Sequence, residues 1–172
     1  MTDRPIIERT LFDDMTGASF SDCRKYRYKL WRKWDDGGLV NFTMLNPSKA
    51  GEIDSDRTVN RCIGFARRWG YGGIVVTNLF GMVTPYPSEM IYADDPIGPG
   101  NDAAIVEAAD ESAIVICAWG ADGDHRDRAS QVRKMLLEHC PDKLHYLRMG
   151  KNQPWHPLYL PGDLKPIRWG QS

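Results

Sequence analysis

Four short stretches carry residue types suited to a planar, hydrogen-bonding ligand: Asn46-Pro47-Ser48, Asn78-Leu79-Phe80, Trp119-Gly120 and His156-Pro157-Leu158-Tyr159-Leu160. A carboxamide presents donor and acceptor side by side, and a neutral imidazole presents one of each. Asn46, Asn78 and His156 therefore match the edge of a nucleobase, and neighbouring aromatic rings suit its face. No carboxylate pair stands out among them, so chemistry by two paired acids is not read here.

These residues need elements that bring them together. Arg24 to Trp34 alternates, with Tyr26, Tyr28 and Leu30 on one face and Arg27, Lys29 and Trp31 on the other, which predicts a half-buried strand. Asp35-Asp36-Gly37-Gly38 is turn chemistry, and Leu39 to Leu45 follows as a second strand, so the pair reads as an N-terminal β-hairpin. A polar loop follows Ser48. Asp56 is then placed to cap a helix whose apolar residues Val59, Cys62, Ile63, Ala66 and Trp69 recur at helical spacing, with Arg57, Arg61 and Arg68 on its other side. Gly70 to Gly73 end that helix. The β-branched run from Ile74 to Phe80 predicts a central parallel strand buried on both faces.

Gly81 to Gly100 reads as a long loop with a short helix around Ser88 to Ala93. A helix from Asn101 to about Ala109, a strand over Ala113 to Ala118, a helix over Arg126 to His139 and a strand over Leu144 to Leu147 complete the alternation. The expected architecture is one domain over residues 1–172, a three-layer α/β/α sandwich with a central, mainly parallel sheet and the hairpin added. In such a sheet, ligands bind at the carboxyl ends of the strands, where all four stretches fall.

Composition narrows the classes further. Of 172 residues, 22 are Lys or Arg and 23 are Asp or Glu, a net charge of −1 that excludes a polyanion binder held by bulk charge. Charged residues make up 26% of the chain, as in an ordinary globular protein. No apolar run approaches the roughly 18–20 residues of a membrane span, and the opening MTDRPIIERT is too charged for a signal peptide, so a cytoplasmic monomer without membrane contact is expected. Cysteines stand at 23, 62, 117 and 140, too far apart for zinc or cluster spacing, which predicts free thiols, with Cys62 and Cys117 as small core residues and no bound metal.

Taken in order, the four stretches resemble the uracil-DNA glycosylase superfamily, whose members carry an Asp-Pro or Asn-Pro strand end, a later strand ending in Asn, a Trp-Gly strand end and a terminal His-Pro segment. The likeness spans Leu39 to Leu160. The wording LNPS, GYGG, NLF and HPLYLP also resembles an uncharacterised bacterial and phage domain family, which supplies no activity. The superfamily resemblance implies a uracil-DNA glycosylase-like fold and hydrolysis of the N-glycosidic bond of a pyrimidine or modified pyrimidine flipped from single- or double-stranded DNA. The setting would be repair or defence against modified phage DNA. Water would be the nucleophile and no cofactor would be needed.

Carried over residue by residue, Asn46 would position that water; an amide cannot act as a general base. Asn78, with Pro47 and Ser48 beside it, would read the base edge, and His156 would stabilise charge on the departing base. Leu158, Tyr159 and Leu160 would wedge into the duplex. Ser48 stands where the uracil-specific branch has a Tyr that blocks C5 substituents, so thymine or a C5-modified pyrimidine would fit. Phe65 is the available phenylalanine for base stacking, but it falls on the predicted helix.

The six cations among Arg24 to Trp34, including Arg27 and Lys29, and the arginines 57, 61 and 68 would contact phosphates; the alternative is a solvated edge strand and an ordinary wet helix face. Asn46 could equally close a turn, Asn78 an Asx-turn, and His156 could pack against backbone. His125, among the charges of GADGDHRDR, reads as a solvated helix start. Two other functions fit the same residues: a non-catalytic nucleic-acid-binding module of this fold, and an enzyme acting on free nucleosides or nucleotides.

Overall fold

The computed structural model describes residues 5–10, 13–48 and 56–170. The polar loop expected after Ser48 lies outside the described residues.

Eight strands form one sheet: β1 (Ile6–Thr10), β2 (Asp13–Phe20), β3 (Arg27–Lys33), β4 (Leu39–Met44), β5 (Gly73–Asn78), β6 (Ile114–Cys117), β7 (Leu144–Tyr146) and β8 (Ile167–Arg168). Their spatial order is β1-β2-β3-β5-β4-β6-β7-β8. The central strands β5, β4, β6 and β7 are mutually parallel, while β1, β2 and β3 on one side and β8 on the other run antiparallel to their neighbours. The sheet is thus mixed, and the expectation of a mainly parallel one holds for its centre.

The helices are α1 (Arg57–Arg68), α2 (Pro87–Tyr92), α3 (Asn101–Glu111) and α4 (Arg128–His139). Alternation along β4 explains the layers. Val40, Phe42 and Met44 face a core shared with Val59, Cys62, Phe65 and Ala66 of α1. On the opposite face, Val115 and Cys117 of β6 pack with Ile105 of α3 and Val132 and Leu136 of α4. Asn41, Thr43 and Thr77 also sit within the sheet, and they are fully buried because they bond to one another: Asn41 Nδ2 donates to Thr77 Oγ1 at 3.1 Å and to the Val75 carbonyl at 3.0 Å.

The expected hairpin is corrected. β3 pairs with β5, and β5 lies between β3 and β4. The reason is the glycine-rich turn itself. Gly72 N donates to Gly38 O at 2.9 Å and Trp34 N to Gly72 O at 2.9 Å, so the Asp35–Gly38 turn receives the second glycine tract and does not close tightly on itself. A Cβ on Gly72 would lie 2.4 Å from Gly37 N, so only glycine permits this approach. β3 is consequently an interior strand, which removes the solvated-edge alternative for its cations.

Asp56 caps α1 as its position predicts: Oδ1 accepts the Val59 amide at 2.8 Å. β5 is buried along its whole length, as its β-branched run requires. Cys62 and Cys117 are buried core residues, and burial raises both thiol pKa values.

Candidate functional site

Order in the sheet decides where a site forms. From β4 the chain crosses through α1 to β5 on one side, then returns past β4 to β6 on the other, so strand order reverses between β4 and β6. A crevice opens at the carboxyl end of such a switch point. Here it is a cavity of about 480 Å³ whose lining includes Asn46, Pro47, Ser48, Asn78, Trp119 and His156.

Register brings these residues level. Met44 pairs with Asn78, and Thr43 with Cys117, so the β4 exit at Asn46, the end of β5 at Asn78 and the β6 exit at Trp119 share one sheet edge. His156 reaches the same edge through a returning segment held by two bonds: Gly120 N to Pro154 O at 2.9 Å, and Trp119 Nε1 to Gln153 Oε1 at 2.7 Å. Gly120 adopts φ of 80°, a conformation that favours glycine.

The Asn46 carboxamide is oriented by backbone. Its Nδ2 donates to the carbonyls of Thr84 at 2.9 Å and Pro47 at 3.2 Å, which leaves Oδ1 as the open acceptor. Asn78 is 2% exposed, and its Nδ2 has no partner among the described residues. Its backbone, by contrast, is fixed: the Asn78 and Leu79 carbonyls accept from Asn101 Nδ2 at 2.9 and 3.1 Å. The buried donor of Asn78 therefore sits on a held strand end at the wall of a cavity, a costly arrangement unless a ligand or water answers it.

His156 Nδ1 accepts the Leu158 amide, so the neutral ring carries its hydrogen on Nε2. Burial lowers its pKa below the usual value, against a smaller opposing pull from the Asp56 carboxylate. The neutral donor form is thus favoured. Ser48 Oγ donates to Asp56 Oδ2 at 3.1 Å, tying the strand end to the start of α1. A second hollow of about 550 Å³ adjoins the first, shares Gly120, His156 and Tyr159 with it, and adds Trp155 and Lys151.

Of the residues singled out by sequence, Asn46, Pro47, Ser48, Asn78, His156, Leu158, Tyr159 and Arg27 line one cavity. Others do not. Leu160 is 1% exposed in the core beside α1, so it is not available as a wedge; Tyr159, at 75%, is the exposed member of that turn. Arg27 is 5% exposed at the cavity wall and so cannot track phosphates on the outer surface. Lys29 pairs with Glu107 at 3.1 Å across to α3. Arg61 donates to the Leu160 carbonyl and lies over the Phe65 ring, which gives it a packing role, whereas Arg57 and Arg68 remain exposed. Phe65 is buried between α1 and the sheet and is no stacking partner for a base.

His125 is also corrected: it is half-buried with its ring 5.7 Å from Phe80, so it does not head a solvated helix. Sequence reasoning missed Asp56 as a cavity residue, because an N-cap signature accounts for only one carboxylate oxygen. It also missed Thr84, whose segment receives the Asn46 bond. Among the described residues, no three His, Cys, Asp or Glu side chains group as metal ligands would, and no helix is long and apolar enough to cross a membrane.

Compared with known proteins, residues 27–158 match the model of a family described as "Protein of unknown function (DUF1643)". No curated protein matches the chain. No solved structure matches it either.

Proposed function

The chain belongs to the DUF1643 family, whose matched span contains every cavity residue named so far except Tyr159, and from that cavity we propose that the protein is a DNA glycosylase-like hydrolase. It releases a pyrimidine or modified pyrimidine from a nucleotide flipped out of DNA. The observation that carries this reading is the meeting of Asn46, Asn78 and His156 around one cavity at the switch point, with the buried Asn78 Nδ2 unpartnered among the described residues.

Each group has a part suited to its geometry. Asn78 meets the base edge with its carboxamide, and the bond formed there satisfies the buried Nδ2. Asn46 Oδ1 holds a water against C1′ of the sugar, since its nitrogen is already engaged. As the glycosidic bond breaks through an oxocarbenium-like state, His156 Nε2–H donates to the oxygen on which charge gathers, a preorganised interaction worth a few kcal/mol in comparable sites. Ser48 is small, and its hydroxyl is turned to Asp56, which leaves space for a C5 substituent.

The test is a panel of oligonucleotides bearing uracil, mismatched thymine or C5-substituted pyrimidines, with abasic sites revealed by alkali cleavage. Base release from at least one member, lost in His156→Ala, supports the reading. Oligonucleotide binding with no base release indicates a nucleic-acid-binding module instead.

One observation favours a second reading. Lys29 is paired with Glu107 and Arg27 is buried, so these two cations of β3 do not present a continuous phosphate track on the outer surface. A free nucleoside or nucleotide needs no such track. Release of base from free nucleosides, with oligonucleotides left intact, would establish that reading.

A further inference from the structure

The residues assigned so far leave hydrolysis without a proton acceptor. Asn46 is an amide. His156 has its Nδ1 lone pair engaged by the Leu158 amide and is needed with hydrogen on Nε2 as a donor. Arg27 is a cation. Two carboxylates line the cavity among the described residues, Asp56 and Asp122, and Asp122 is exposed at the rim.

Asp56 is half-buried and held in a manner that helix capping does not require. A cap needs one acceptor, which Oδ1 supplies to Val59 N. Oδ2 is drawn the other way, to the Ser48 hydroxyl two residues beyond Asn46, so the carboxylate bridges the start of α1 and the β4 exit. Each carboxylate oxygen has a further lone pair after these bonds. The buried Nδ2 of Asn78 on the same cavity, without a partner among the described residues, is independent evidence that a polar ligand belongs there. The Asp56 charge also lies near enough to His156 to pull its pKa upward against the larger effect of burial.

We propose that Asp56 is the general base of the reaction, with Ser48 as the residue that positions it, an assignment that rests on the glycosylase reading. A water held at Asn46 Oδ1 gives its proton to the Asp56 carboxylate as its oxygen bonds to C1′. The C1′–N bond breaks, and its electron pair leaves with the base, whose charge His156 Nε2–H stabilises. The proton then passes from Asp56 through solvent to the released base. One water is consumed, and the products are a free base and a sugar hydroxyl.

Asn caps a helix as well as Asp does, so Asp56→Asn keeps α1 in place while it removes the proton acceptor. Single-turnover base release should fall by about 10²–10⁴-fold, with substrate Kd within threefold of the parent and an unchanged melting temperature. Ser48→Ala, which frees the carboxylate without removing it, should show a smaller loss of rate. Asp56→Asn with a rate within threefold of the parent protein would overturn the assignment and leave the glycosylase reading standing. A parent protein that releases no base from any oligonucleotide or nucleoside would instead overturn that reading, and this assignment with it.

Discussion

His156 Nδ1 accepts the backbone amide of Leu158 at 3.3 Å, so one short turn decides which imidazole nitrogen is left to donate. Protonation of the ring would forfeit that bond, and burial already opposes it. A histidine whose folded pKa lies below its unfolded value of 6.5 binds protons more readily once unfolded. The stability it contributes is complete above 6.5 and is lost as pH falls toward the folded value. Urea denaturation should show the parent protein weakening with acidity in that window, with the His156-dependent part of the slope missing in His156→Phe. An His156 ring signal that titrates at or above 6.5 by NMR would contradict this.

Asn78 is a candidate for a residue that costs stability. Its Nδ2 is buried without a partner among the described residues, a penalty of about 1–3 kcal/mol in comparable cases. Asn78→Leu, similar in size and without polar atoms, should unfold at a higher urea concentration than the parent while discrimination between bases declines. A lower midpoint would show that water or a neighbour already satisfies this group.

Asn46→Asp would place a second carboxylate at the cavity, but the surroundings oppose it. Asn46 Nδ2 donates to the Thr84 and Pro47 carbonyls, and a carboxylate would set oxygen against oxygen there. The expected result is a loss of about 1–3 kcal/mol in stability with no gain in base release. Chemical denaturation beside a single-turnover assay checks both halves.

Phosphate contacts, if DNA is bound, should now come from exposed arginines on α1. Arg57→Gln and Arg68→Gln should each reduce the slope of log K against log salt by ~0.9, the loss expected for one duplex contact. Lys29→Gln should leave the slope unchanged, because Glu107 already holds that charge. A reduced slope for Lys29→Gln would mean that DNA displaces the ion pair.

Local chemistry made much of the centre legible. The Asp56 cap, the β-branched strand ending at Asn78 and the loop with its short helix are properties of neighbouring residues, and the structure places them close to where the sequence reading did. Pairing was not legible in the same way. The turn Asp35–Gly38 has the composition of a hairpin, and only the distant Gly72, packed into it, reveals that a strand enters between β3 and β4. Arg27 and Lys29 alternate with apolar residues as they would on a half-exposed strand. Whether α3 covers that face, and offers Glu107 to Lys29, depends on residues some eighty positions away. The second role of Asp56 was hidden for a similar reason, since Ser48 meets it only after the chain has folded.

The cavity draws on residues from Arg27 to Tyr159, and the strands that present them pair out of sequence order. Large loops must close before any of its walls meet, and such non-local closure comes late in folding. Asn78 waits for Asn101 to hold its strand end, and His156 waits for Gly120 and Trp119 to hold the returning segment. Residues 46–84 carry part of the lining, but Trp119 and His156 join it from far along the chain, so the full set of groups meets only after those segments have docked on the sheet.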